Sequence, residues 1–202
     1  MDNGKMKIFS LLDELKKDHS NHTVIRKNGT LLFNPGKIPK AQHILYQPLT
    51  SELIDEYLSK AYKNTLPVQY KQFLGYSNGM DLFMFKIFVA KFAFAGSNIT
   101  IYGLPRTQPF GRPADMEEPF DIRIEDLRRH ANIPDTWLKV GTYRLKYESG
   151  GEADMFIDCD SQRVFTTKRD QCGIEEQWDS FDFCLCDLFQ RAQNSLPEYR
   201  FK

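Results

Sequence analysis

The chain has 202 residues, of which 41% are apolar and 27% charged, so it can bury a sizeable core in one domain or in a domain with an appended arm, and wholesale disorder is excluded. Its 27 Lys+Arg balance 27 Asp+Glu, and the basic excess of residues 1–100 (13 against 8) is scattered without an Arg-rich, aromatic-interleaved cluster, which argues against direct nucleic-acid binding. Met1-Asp2-Asn3-Gly4-Lys5 lacks the layout of a secretory signal, and the most apolar run, Leu82 to Ala95, is short and broken by Lys86 and Lys91; no membrane span is expected, and the chain reads as soluble and cytoplasmic.

Lys5 to Lys17 places Ile8, Leu11, Leu12 and Leu15 on one stripe and predicts an amphipathic helix. Thr23 to Lys27 and Thr30 to Phe33 then flank Asn28-Gly29, a pair suited to the positive φ angles of a type I′ hairpin turn. Asn34-Pro35-Gly36 and Ile38-Pro39 break regular structure, so residues 1–46 read as a helix–hairpin arm ahead of a domain at 47–202. A second helix begins after Pro48, with Thr50 or Ser51 as cap, Glu52 in its first turn, and Leu53, Tyr57, Leu58 and Ala61 as its buried stripe.

Leu66 to Gly79 predicts a short third helix. Pro67 suits its first turn, Tyr70, Phe73 and Leu74 form one apolar face, and Asn78-Gly79 tolerate the left-handed conformation that closes a helix. Leu82 to Ala95 reads as strand or buried helix, Ile99 to Gly103 as a strand, Arg106 to Pro119 as a loop, and Ile124 to Ala131 as a helix ended by Pro134. Strands follow at Trp137 to Leu145, Ala153 to Asp158 and Arg163 to Thr167, before a Ser180-capped helix that buries Phe181, Leu185, Leu188 and Phe189. Strands in immediate succession imply a mainly antiparallel sheet with helices packed against it, an α+β fold.

Candidate chemistry is sparse. Cys159, Cys172, Cys184 and Cys186 lack zinc-ligand spacing and read as free thiols, while His19, His22, His43 and His130 read as surface histidines. Neither a nucleophile elbow nor a phosphate-binding glycine loop is present, so no catalytic residue and no cofactor is expected. Asp158 and Asp160, with Glu152 or Asp154, are the best cation candidates and the sole support for a metal-dependent hydrolase. A tight turn in which they bond to nearby backbone N–H groups is favoured, and no metal is expected.

Residues 101–202 carry 19 Asp+Glu against 14 Lys+Arg. The acids cluster at Asp115, Glu117 and Glu118, at Glu148, Glu152 and Asp154, and at Glu175, Glu176 and Asp179, all expected in loops. Glu117, Glu118, Glu148, Glu152, Glu175 and Glu176, with Tyr147 as an aromatic anchor, are therefore the expected partner-binding residues for a basic protein.

Leu66, Pro67, Tyr70, Phe73, Leu74, Asn78 and Gly79 together resemble the L-P-x-x-Y-x-x-F-L-x-x-x-N-G signature of the SUKH superfamily, which includes bacterial toxin-immunity proteins and fungal regulators of cell-wall synthesis. The resemblance covers about residues 50 to 190, with further landmarks at Tyr102-Gly103-Leu104, Ile133-Pro134-Asp135, Phe156-Ile157-Asp158, Val164-Phe165 and Ser180-Phe181. It implies an intracellular, non-catalytic immunity protein that binds a cognate toxin, expected to be basic and nuclease-like. The alternative it implies is a regulatory adaptor of cell-wall synthesis or signalling enzymes.

Overall fold

Strands joined in sequence find their partners locally, and this sheet is built that way throughout. The computed structural model describes residues 5–33, 42–61, 66–89, 92–96, 99–104, 134–144, 152–168 and 173–195. Within them lie β1 (Thr23–Ile25), β2 (Leu31–Phe33), β3 (Gln42–Leu45), β4 (Met80–Val89), β5 (Phe92–Gly96), β6 (Ile99–Ile101), β7 (Trp137–Tyr143), β8 (Ala153–Asp158), β9 (Val164–Lys168) and β10 (Ile174–Trp178). They pair antiparallel in the order β1-β2-β3-β4-β6-β7-β8-β9-β10, with β5 hairpinned onto the second half of β4. Helices α1 (Lys7–Asp18), α2 (Ser51–Ala61), α3 (Val68–Tyr76) and α4 (Phe181–Ser195) complete an α+β fold, as the sequence implies.

Residues 1–46 do not stand apart as an arm. Leu32 pairs with Ile44, and Ile44 with Asp81, so β2 and β3 continue the sheet into β4. Helix α1 buries Ile8, Leu12 and Leu15 in the core that also holds Leu185 and Leu188 of α4. The first hairpin forms with a different turn from the one expected. Gly29 N–H donates to the Arg26 carbonyl and Arg26 N–H to that of Thr30, and Gly29 has a positive φ (84°) while Asn28 does not. This is the three-residue loop with a left-handed glycine, and Asn28 contributes instead through Oδ1, which accepts the Thr30 N–H at 3.0 Å.

The Leu82 to Ala95 ambiguity resolves as the β4–β5 hairpin, in register from Phe85↔Gly96 to Val89↔Phe92. Two strands were not expected, β3 and β10. In β10 a bulge between Ile174 and Glu176 breaks the alternation, and four of its five residues are polar or exposed, as suits an edge strand. Glu175 and Glu176 therefore lie on a strand rather than in a loop. In α2, Thr50 is the cap, but Ile54 is the buried residue and Leu53 is 47% exposed; the side chains of Tyr57, Leu58 and Ala61 lie outside the described ones. The loop expected at 106–119 and the helix expected at 124–131 also lie outside the described residues.

The two sheet faces differ in chemistry. Leu45, Met80, Leu82, Ile99, Ile101, Leu138, Met155, Ile157 and Val164 join the α1, α3 and α4 side chains in one core. The opposite face carries a row through nine strands, Val24, Leu32, Ile44, Asp81, Thr100, Thr142, Asp154, Thr167 and Ile174, each level with the next. Its central residues, Asp81 to Thr167, are polar and buried. A buried carboxylate is costly unless hydrogen bonds or an opposite charge offset its lost hydration. Asp81 accepts from Tyr46 Oη (2.7 Å) and Thr100 Oγ1 (2.8 Å), whereas Asp154 is offset by an ion pair, its Oδ1 2.6 Å from Lys139 Nζ without a well-aligned hydrogen bond.

Gly141 lies where β7 crosses closest to β6: a Cβ there would collide with the Thr100 carbonyl oxygen and sit 3.1 Å from Ile101 Cδ1. Backbone cannot yield as a flexible side chain does. Gly141→Ala is expected to cost about 3 kcal/mol in urea unfolding, well beyond a surface Gly→Ala change such as Gly173→Ala, whose Cβ meets nothing within 4 Å.

Candidate partner-binding site

The signature residues hold the fold together. Pro67 is not in the first turn of α3 but is its cap residue, with ψ at 135°. Proline offers no side-chain oxygen, so the Val68 N–H is met at 3.1 Å by Gln162 Oε1 from the β8–β9 turn. Leu66, Tyr70, Phe73 and Leu74 are buried. Tyr70 and Phe73 both meet the Phe181 ring edge-on, at 5.5 and 5.8 Å, and Tyr70 Oη donates to the Tyr102 carbonyl at 2.7 Å. As expected of a helix packed on the sheet from Trp137 to Thr167, Tyr70, Phe73 and Leu74 also share one core with Leu138, Val140, Met155, Ile157 and Val164 of β7 to β9.

Asn78-Gly79 does not close the helix. α3 ends because Ser77 turns extended (φ −154°), and of the pair Gly79 alone has a positive φ (92°). Asn78 does something the sequence did not suggest. Its Nδ2 donates to the Leu104 carbonyl (2.8 Å) and its Oδ1 accepts the Leu104 N–H (2.7 Å), so one buried amide imitates a strand neighbour.

Glu117, Glu118, Tyr147 and Glu148 lie outside the described residues. Of the other acids, Glu152 precedes β8 and Glu175 lies on β10 at the same end of the sheet. Lys168, level with Ala153, sits between them, 3.9 Å from Glu175. Glu176 turns to the helix side and is spent on Arg191 (2.6 Å), which also holds Asp187 (2.7 Å). The acids therefore meet in part, and each of Glu175 and Glu176 has a cation beside it.

At the other end of these strands lies Asp158. Burial raises the pKa of its carboxyl, but hydrogen bonds from Ser161, the Asp160 N–H and Thr136 outweigh that and hold it low. This is the tight-turn arrangement expected of Asp and Ser. Among the described residues no group of three or more His, Cys, Asp or Glu is placed to hold a metal. Burial first, then Asp158 and Asp160, push the Cys159 thiol up to about 11, and burial first also raises Cys186 to about 11, so neither is a ready thiolate. No helix among the described residues is long and apolar enough to cross a membrane.

Three helices begin at this same pole, and each has a first-turn amide met from elsewhere in the chain. Asp182, in the first turn of α4, accepts the Lys7 N–H (3.0 Å) and the Ile8 N–H (2.9 Å), the open amides of α1. Gln69 of α3 accepts the Asp182 N–H at 2.9 Å, and Gln162 caps α3. Ser180 caps α4 locally as expected, taking the Phe183 N–H at 3.2 Å. Arg163, beside Gln162, approaches Asp179 at 3.9 Å and closes the ring of contacts.

No family model matches this chain, and no curated protein or solved structure matches it.

His43 corrects the surface reading given to the histidines. On β3 it is buried, its Nδ1 accepting the Phe83 N–H at 3.2 Å and its ring edge-on to Phe83 at 4.9 Å. Phe83 has a positive φ (54°) at the irregularity between β3 and β4, so His43 meets an amide that the ladder leaves out. His19 is half-buried against it and His22 is exposed, while His130 lies outside the described residues. Burial first, then the charge of His19, hold the His43 pKa down at about 3. The unfolded chain takes this proton near pH 6.5 and the native one refuses it until about 3, so stability falls as pH drops through that window. Asp13, bonded by Tyr76 and by Lys5 and Lys16, is held down to about 2 and stays ionised until well below pH 5. Between about pH 7 and about pH 5.5 the parent should lose about 1 kcal/mol more than His43→Asn, whose Oδ1 can take the Phe83 N–H. Urea unfolding at the two pH values measures it.

Proposed function

We propose that this chain is a non-catalytic immunity-type protein that binds a cognate protein toxin, basic and nuclease-like, and neutralises it. The observation that carries the reading is the use made of the signature residues. Tyr70 ties α3 to Tyr102, Asn78 ties its exit to Leu104, and Phe73 and Leu74 fill the core. A signature spent on the junction of helix and sheet marks a fold that serves as a platform, so recognition falls to its surface. The SUKH resemblance supplies the toxin as partner. The acidic excess of residues 101–202 supplies the sign of its charge, because a nuclease must hold phosphates with Lys and Arg. Opposite fields speed encounter and disfavour wrong partners.

Removing the gene from its native cell, followed by co-culture with unmodified sister cells, tests this. The deletion strain should be killed or arrested, and the full chain supplied in trans should restore growth. The purified chain should bind the toxin recovered with it and should itself turn over no nucleic acid, ester or nucleotide. A deletion strain that grows normally beside its sisters, or hydrolysis of any of these substrates by the purified chain, would overturn the reading.

A further inference from the structure

One reactive dipeptide recurs along the chain, and the fold treats its copies oppositely. Asn-Gly occurs at Asn3-Gly4, which lies outside the described residues, at Asn28-Gly29 and at Asn78-Gly79. An asparagine side chain followed by glycine is open to attack by the next backbone nitrogen, because glycine has no Cβ to hinder ring closure. Asn78 is shut against this. Its side chain is buried and both of its amide atoms are held by the Leu104 backbone, while the Gly79 N–H donates to the Ser77 carbonyl at 2.8 Å. Turning Asn78 Cγ toward the Gly79 nitrogen would break both bonds and leave a buried amide and the Leu104 peptide groups unmet.

Asn28 stands in the loop between β1 and β2, half-buried, with Arg26 and Lys27 exposed beside it. Two bonds hold this loop, Gly29 N–H to the Arg26 carbonyl at 2.9 Å and Thr30 N–H to Asn28 Oδ1 at 3.0 Å. The second is aimed at the oxygen on which negative charge gathers when Cγ is attacked, so it favours that step. The first occupies the attacking nitrogen and has to open. β1 is a three-residue strand at the edge of the sheet, and its Val24 and Ile25 are exposed. With so little apolar contact to hold it, the hairpin opens without unfolding the rest of the sheet.

We infer that Asn28-Gly29 is a site of spontaneous deamidation in the native protein, with water as the reactant, and that the fold spares Asn78-Gly79. The inference is independent of the immunity reading above. The Gly29 nitrogen gives its proton to solvent base and attacks Asn28 Cγ. The new C–N bond closes a cyclic imide as the Cγ–Nδ2 bond breaks, and ammonia leaves with a proton from water. Water then adds to either imide carbonyl, giving Asp at position 28 or an isoaspartyl link that carries the main chain through the side-chain carbons. The aspartyl form keeps the oxygen that takes the Thr30 N–H. The isoaspartyl form lengthens the main chain of the loop, so the Gly29–Arg26 and Arg26–Thr30 bonds lose their register and β1 loosens at the sheet edge. Either form adds a negative charge next to Lys27.

The test is to age the purified full chain at mildly alkaline pH, in native buffer and in denaturing guanidinium chloride, and to map its peptides by mass spectrometry. In native buffer the Asn28 peptide should convert about 100-fold faster than the Asn78 peptide, or more, because the second needs a far costlier opening. In guanidinium the two should convert within about threefold of each other, since the fold no longer separates them. The aspartyl product should co-elute with the same peptide from Asn28→Asp, and an isoaspartyl product of equal mass should elute apart. In the aged native chain, amide exchange should accelerate at Arg26 while the β7–β9 amides stay protected. An Asn28 that stays intact in native buffer over the time in which the denatured chain converts would overturn the inference. So would an Asn78 that converts in native buffer as fast as Asn28.

Discussion

Asp182 holds two ends of the chain together. Its carboxylate closes the first amides of α1 from 175 and 174 residues away, while its own N–H is held by Gln69 of α3. α1 begins after Met6 with no side-chain cap of its own, and α3 begins after a proline that cannot supply one. The first amides of a helix have no partner within it, and here α1 and α3 each take theirs from another element. A carboxylate in the first turn of α4 is favoured by that helix's dipole as well as by the amides of α1. The helix layer is thus fastened at one pole by directional bonds, and the apolar core then fixes its distance from the sheet.

The sheet supplies the rigid base. Among the described strands only β6 does not lie beside its predecessor in sequence: it passes the β4–β5 hairpin to pair with the first half of β4. Its helix-covered face is apolar, whereas its other face sets Asp81 and Asp154 in a buried polar row, each with a specific partner. Such bonds contribute modestly to net stability, but they penalise a slipped register heavily, since a one-residue shift would strand both carboxylates.

The sequence made the class of fold and most of its elements readable because the strands at Ala153 and Val164 and the helices at Lys7, Val68 and Phe181 carry clean periods, the last with Ser180 as a local cap. β10 escaped because a bulge and a run of Glu175-Glu176-Gln177 hide its period, and β3 because it is short, follows the breaks at Asn34-Pro35-Gly36 and Ile38-Pro39, and has no turn pair such as Asn28-Gly29 to announce it. The arm reading failed for the same reason: without β3, nothing in the sequence links the first hairpin to β4. At the candidate site, the acids were visible but their company was not. Glu176 looks free in sequence, and only folding brings Arg191 of α4 against it. Nothing in the sequence announces that Gln69, Gln162 and Asp182 meet, since their contacts span 94 to 175 residues.

If the pole is the fastening point, cutting it should release α1 first. The most direct measurement is amide hydrogen exchange with urea unfolding on Asp182→Ala. The account expects a loss of about 2–3 kcal/mol, the cost of leaving charge-bonded amides open. Exchange should accelerate at Lys7 and Ile8 and along α1 while the β7–β9 amides stay protected. A variant within about 0.5 kcal/mol of the parent, with exchange at Lys7 and Ile8 unchanged, would contradict it.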